Sequence, residues 1–208
     1  MKLRNIITVF VLVFGAIFST EVFCASTPQD ILSKAAGKVR GAKGVDASYS
    51  LSSKGQSLQG VLKSVGSKFY VKAGGMETWY NGKELYTYNP SSKETTVMLP
   101  SASELAEVNP LLYLNQYNQY FTPVFSKNNQ AGKYIIDLNS KSRKAPAKKI
   151  TVFLNAKTLA PEKFIITSQD GSVATLTITK LNFAASIGSS TFNYPKSRFP
   201  NVNIVDLR

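Results

Sequence analysis

From Val45 onward the chain alternates apolar and polar residues with a period of two, and short turn signals cut that alternation into strand-length pieces. Val45, Ala47, Tyr49 and Leu51 alternate with Asp46, Ser48 and Ser50. Segments over 58–65, 68–72, 77–80, 84–88 and 94–99 read as successive strands. After residue 125 the pattern resumes over 133–139, 149–155, 159–168, 172–181, 191–194 and 202–206, for about eleven strands in all. Asn81-Gly82 and Asp170-Gly171 are two-residue hairpin signals whose central positions need positive φ, and Asn89-Pro90-Ser91-Ser92 marks a third turn. Connections this short join only antiparallel neighbours, so the chain is constrained to a meander.

Two stretches leave the period of two. Thr27-Pro28-Gln29-Asp30 opens a helix, with Thr27 as N-cap, Pro28 at its first position and an acid in its first turn. Ile31, Leu32, Ala35, Ala36 and Val39 form its apolar face, and Gly41 and Gly44 end it. Ser101 and Glu104 have capping-box spacing, and Leu105 and Val108 follow. Asn109-Pro110 restarts a helix as N-cap and first residue. Its continuation to Phe121 is apolar or aromatic on nearly every face, with Asn115, Gln116, Asn118 and Gln119 polar but uncharged. No internal repeat, low-complexity tract or linker interrupts 25–208, which reads as one domain. The expected class is α+β, with helices lying across one face of a single large, curved antiparallel sheet.

The first residues set the compartment. Met1-Lys2-Leu3-Arg4-Asn5 is basic, and Ile6 to Phe18 is an apolar run broken only by Thr8 and Gly15. That run falls short of the ~20 residues that a membrane span takes. The pattern is a secretory signal peptide over 1–24, cleaved after Cys24 with Val22 and Cys24 at the recognition positions. An uncleaved anchor is the competing reading, which the short apolar run disfavours. Cys24 is not in a lipidation context, because Phe23 stands where a small residue is needed and Glu21 where an aliphatic one is. The mature chain then has no cysteine and is held by core burial alone. Roughly 180 residues suffice for that, burying about 70% of the unfolded surface.

Composition excludes several chemistries. The chain has no histidine, which removes histidine-based triads and histidine metal sites. Without a mature cysteine, thiolate metal sites and thiol catalysis go as well. The 12 acidic residues are scattered, and Gly74-Gly75 is followed by Met76-Glu77 rather than by a phosphate-cradling sequence. A non-enzymatic protein without cofactor or metal is expected.

The net charge of +13 would suggest nucleic acid in a cytosolic chain, but a secreted one meets anionic headgroups or acidic proteins instead. The densest basic stretch contains Lys141, Arg143, Lys144, Lys148 and Lys149. It reads either as a solvated loop or as a patch that docks on a negative surface.

Three motifs carry a family resemblance. Tyr80-Asn81-Gly82-Lys83-Glu84-Leu85-Tyr86-Thr87-Tyr88-Asn89-Pro90 is similar to the "DGKxLWxYxP" hairpin of the periplasmic lipoprotein carriers of the LolA type. Asn109-Pro110-Leu111-Leu112-Tyr113-Leu114 resembles that family's lid helix. Phe192-Asn193-Tyr194-Pro195 with Val205-Asp206-Leu207-Arg208 is similar to its C-terminus. In order and spacing the motifs cover nearly all of the mature chain.

The resemblance implies an unclosed barrel of eleven strands whose concave face is covered by helices around an apolar cavity. It implies a periplasmic carrier that receives lipoprotein acyl chains from an inner-membrane ABC-type release complex and passes them to an outer-membrane acceptor, working as a monomer. It places Leu111, Leu112, Leu114 and Tyr117 of the lid, with Phe69 and Val71 of the sheet, at the acyl-chain cavity; ordinary core is the competing reading for these residues. One departure stands out. Where many members carry Arg-Pro-x-x-Phe-x-Trp, with an arginine that holds the lid shut, this chain has Val65-Gly66-Ser67-Lys68-Phe69-Tyr70-Val71. Two other roles fit the same pattern: a binder of free lipid or glycolipid, and a regulatory protein that senses mislocalised lipoproteins.

Overall fold

The structure, a computed structural model, describes residues 26–208. The expected signal peptide, its cleavage point and Cys24 lie outside the described residues.

Helix α1 spans Pro28–Arg40 and starts as its sequence dictates. Thr27 accepts from the Asp30 N–H while the Asp30 carboxylate accepts from the Thr27 N–H, a reciprocal cap. Its buried face is Ile31, Leu32, Ala35 and Ala36. Strands follow over Val45–Ser53 (β1), Gln56–Val65 (β2), Lys68–Ala73 (β3), Met76–Tyr80 (β4), Leu85–Asn89 (β5) and Glu94–Met98 (β6). Helices α2 (Ala102–Val108) and α3 (Leu112–Tyr120) cross over. The sheet then resumes with β7 (Phe121–Phe125), β8 (Lys133–Ser140), β9 (Lys149–Asn155), β10 (Pro161–Thr167) and β11 (Val173–Asn182). A last strand, β12 (Asn203–Asp206), ends the chain.

All twelve strands join one sheet in the order β12-β6-β5-β4-β3-β2-β1-β11-β10-β9-β8-β7. β7 and β12 are its two edges and do not pair, so the barrel stays open. The fold is α+β, with two antiparallel meanders, β1 to β6 and β7 to β11, joined where β1 pairs antiparallel with β11, and with β12 parallel to β6. A register shift between Ser48 and Tyr49 in β1 bends the sheet where the two halves meet. Apolar residues of the concave face, such as Leu62, Phe69, Ile136, Val152 and Phe164, form one core with the buried faces of α1 and α3.

Four local readings change. The 191–194 segment is a 3₁₀ turn, Ser189–Phe192, not a strand; Gly188 before it and Pro195 after it deny it ladder neighbours. β7 takes Phe121, which the helical pattern claims, together with 122–125, which the pattern assigns to no element, and it holds Pro123, which an edge strand tolerates. Asn109 is not the N-cap of a helix beginning at Pro110: it caps the C-terminus of α2, and its side chain accepts from the Leu111 N–H at 3.2 Å. At the β4–β5 hairpin Asn81 donates its N–H to the Glu84 carbonyl, so the central pair is Gly82-Lys83, with Gly82 at φ 100°. Asn81 instead uses its side-chain oxygen to accept from the N–H groups of Lys83 and Glu84, each at 2.9 Å.

Candidate functional site

Antiparallel strands put the β1–β2, β3–β4, β5–β6, β8–β9 and β10–β11 connections at one end of the open barrel. A cavity of about 810 Å³ opens between these connections and the α2–α3 pair. That is toward the upper end of the roughly 300–1,000 Å³ usual for ligand sites. Its floor is the concave face, with Leu51, Leu58, Val71 and Leu176 at alternate strand positions; Val108, Pro110 and Tyr113 form its roof. Tyr49 is held there by a missing side chain. A Cβ on Gly60, opposite it in β2, would fall 2.3 Å from the Tyr49 ring.

The cavity is apolar but not featureless. Tyr49 and Tyr113 are 7% and 4% exposed, and their hydroxyls find no partner among the described residues. Burial pushes the Tyr113 phenol up to about 12, with a smaller push from the Glu107 carboxylate, and burial raises Tyr49 as well. Both remain neutral donors across the physiological range. They can hydrogen-bond a carbonyl such as a lipid ester.

The expected site residues separate into two groups. Val71 lines the cavity. Leu111 is not in the cavity wall: it borders the narrow space beyond Tyr49, Pro110 and Leu176, and a smaller chamber that Leu112 also lines. Phe69, Leu114 and Tyr117 sit elsewhere, in the packed core. Phe69 and Leu114 are fully buried. Tyr117 points to α1, its hydroxyl donating to the Gln29 carbonyl at 3.3 Å and lying 3.2 Å from the Ser33 hydroxyl. Most of the cavity wall, including Tyr49, Leu51, Tyr113 and Leu176, was not singled out, because each is an ordinary member of an alternating strand or of the lid.

The lid is held by few polar contacts. Arg40 reaches the Asn115 side chain at 3.4 Å. Lys141 donates its N–H to the Tyr120 carbonyl at 2.8 Å and its ammonium to the Asn118 carbonyl, closing the C-terminal end of α3. Lys141 is thus engaged within the fold, as is Lys149, 2.9 Å from Asp137. Arg143, Lys144 and Lys148 remain exposed beside the mouth, at the same end as Lys54 and Lys93. The rim is therefore basic, and Met76 and Val173, 43% and 48% exposed, add apolar tips to it.

A family model described as "Outer membrane lipoprotein carrier protein LolA" matches residues 18–171. No curated protein matches the sequence. Among solved structures, an uncharacterized conserved protein from Thermus thermophilus superposes with a TM-score of 0.60 at 12% identity, over 86% of this chain and 98% of that one. A LolA superfamily protein from Nitrosomonas europaea gives 0.44 at 14% identity, over 82% and 99% of the two chains. A putative outer membrane lipoprotein-sorting protein domain from Vibrio parahaemolyticus gives 0.47 at 12%, over 80% and 96%. The first likeness shows a shared fold.

Proposed function

The chain belongs to the LolA family of outer membrane lipoprotein carrier proteins, and on that premise we propose that it shelters lipoprotein acyl chains as they cross the periplasm. It takes them from an inner-membrane ABC-type release complex and yields them to an outer-membrane acceptor. The observation that carries this reading is the apolar cavity of about 810 Å³ beneath the α2–α3 pair. Each methylene left in water costs ~0.8 kcal/mol, so a diacylated N-terminus cannot travel bare. A cavity open at one end lowers that cost without sealing the cargo in. The two free phenols offer hydrogen bonds to ester carbonyls, and the basic rim with its apolar tips suits approach to an anionic bilayer surface. Arg143, Lys144 and Lys148 would do that docking; Lys141 and Lys149 would support it from within the fold.

The test places a charge in the cavity without touching the packed core. Leu51 and Ala174 line the cavity and are only half-buried, so Leu51→Asp and, still more, Ala174→Asp should fold, which circular dichroism checks. Both should lose the ability to solubilise a lipoprotein released from membranes, because a carboxylate among acyl chains loses hydration. Folded variants that still solubilise lipoprotein at the normal level would sink the proposal.

A further inference from the structure

At the end of the barrel away from the mouth lies a second chamber of about 310 Å³, between the C-terminus of α1, the end of β2 and the joint between α2 and α3. Its walls include Val39, Val45 and Leu112, but its polar groups are unusual. Asn109 is 3% exposed and Ser64 is 8% exposed. The Asn109 side-chain oxygen accepts from the Leu111 N–H, and its backbone is bonded to Leu105 and Leu112. That leaves the carboxamide N–H₂ of Asn109 and the hydroxyl of Ser64 without partners among the described residues. Buried donors without partners are rare and unfavourable, so two on one chamber point to an occupant. Arg40 is the one charged residue lining it; the guanidinium has no ion pair among the described residues and only the long contact to Asn115. At the C-terminus of α1 the Gly37 and Val39 carbonyls accept from the N–H groups of Gly41 and Ala42.

A narrow neck separates the chamber from the cavity. Leu111 lines the chamber and also an apolar neck formed with Ala47, Leu62 and Phe164. Tyr49, Pro110 and Leu176 line both the neck and the cavity. The neck holds about 10 Å³ of free space, room for at most one water, so it is shut at Leu111. Leu111 belongs to the non-helical joint Asn109–Leu111 between α2 and α3.

We infer that the chamber binds the anionic head, carboxylate or phosphate, of a free single-chain lipid whose tail passes Leu111 into the cavity. Arg40 supplies the charge-assisted hydrogen bonds and Asn109 and Ser64 the remaining donors. A lipoprotein cannot take this pose, because its acyl chains hang from a polypeptide that stays outside the mouth. The inference rests on the acyl-binding cavity of the proposed function and adds a second ligand class that competes for it.

Calorimetric titration of the purified, delipidated protein with dodecyl phosphate, dodecanol and inorganic phosphate tests it. Dodecyl phosphate should bind at least about tenfold more tightly than dodecanol, the step that a charged hydrogen bond adds. Arg40→Met and Asn109→Asp should abolish that advantage and leave dodecanol unchanged; the aspartate keeps the acceptor that Leu111 needs. Equal binding of the two amphiphiles overturns the head-group site and leaves the cavity standing. Inorganic phosphate binding as tightly as dodecyl phosphate overturns the lipid assignment in favour of a free anion. No binding of either amphiphile overturns both this inference and the carrier reading.

Discussion

The sheet has two faces and two covers, and they are built differently. The convex face is covered by the C-terminal segment after β11. Trp79 is its hub, edge-on to Tyr194 at 5.4 Å and to Phe199 at 6.0 Å. Tyr86, Tyr194 and Phe199 stack in succession at 5.1 and 5.6 Å, and Tyr88 meets Phe199 at 4.3 Å. Arg198 pairs with Glu77 beneath this stack, and β12 adds a ladder to β6. The concave face is covered by α1, α2 and α3; α2 and α3 leave a cavity, and their polar ties among the described residues are a few long or exposed hydrogen bonds. The same strands supply both faces from alternate residues. One cover is held by aromatic contact and an ion pair; the other is held by buried apolar side chains such as Leu114 and Tyr117, with an open cavity beside them.

The largest difference should appear at Trp79, which is 3% exposed. Trp79→Ala removes the hub and should cost about 3–5 kcal/mol in urea unfolding. No single lid side chain outside the packed core should approach that. A loss below about 1 kcal/mol would mean that the C-terminal cover is loosely held too, and would erase the contrast.

Next in size is Glu77, 6% exposed and fixed by Arg198, Tyr70 and Lys72. Burial by itself would raise its carboxyl, but the hydrogen bonds from Arg198 and Tyr70, with the Arg198 and Lys72 charges, outweigh burial and hold it below its ordinary 4.5. A carboxyl lowered in the folded state binds its proton less readily than in the unfolded chain. Its stabilisation is therefore full above 4.5 and fades as pH falls below that value. Glu77→Gln should cost about 1.5–3 kcal/mol at neutral pH and flatten the acid limb of the stability curve. Asp206, held at about 2 by Arg208 first of all, titrates in the same region of the molecule. Acid should loosen the convex cover before the lid, which hydrogen exchange followed from pH 7 to pH 3 would show; the reverse order would break the comparison.

Much of the sheet was legible because period-two alternation and glycine turns are local signals. The caps at Thr27 and Ser101 were legible for the same reason, each being a short side-chain-to-backbone exchange. β7 was not, since Phe121-Thr122-Pro123-Val124-Phe125 continues the aromatic density of the lid and its strand character comes from pairing with β8. The cavity was only partly legible. Alternation marks Leu51, Val71 and Leu176 as inward, but nothing local says which inward residues the helices leave uncovered. Likewise, a run of lysines does not reveal that Lys141 is spent on the α3 carbonyls and Lys149 on Asp137.

A smaller effect tests whether the concave space is real room. Gly60→Ala puts a methyl against the Tyr49 ring, which must swing away. If the ring can turn into the cavity, stability should fall by only about 1 kcal/mol, the low end for overpacking. Acyl-probe binding should fall with it, since the ring would fill the space the probe needs. A stable variant with unchanged probe binding would show that Tyr49 does not border the binding volume.

The smallest change in stability should come from the lid. Tyr117 ties α3 to α1 through the Gln29 carbonyl and the Ser33 hydroxyl, while its ring stays in the core. Tyr117→Phe keeps the ring and removes both bonds, so global unfolding should shift by only about 0.5–1.5 kcal/mol. The local effect should be larger in proportion. With Val65 where the resemblance implies an arginine, the other polar ties of α3 among the described residues are Arg40–Asn115 and the Lys141 contacts. Losing the Tyr117 bonds should raise amide exchange selectively over 112–120 and speed cargo uptake, with β9 and β10 unaffected. Exchange that rises uniformly across the sheet would show that lid and core open as one unit, and the distinction between a fixed cover and a movable one would fail at the place it matters most for loading.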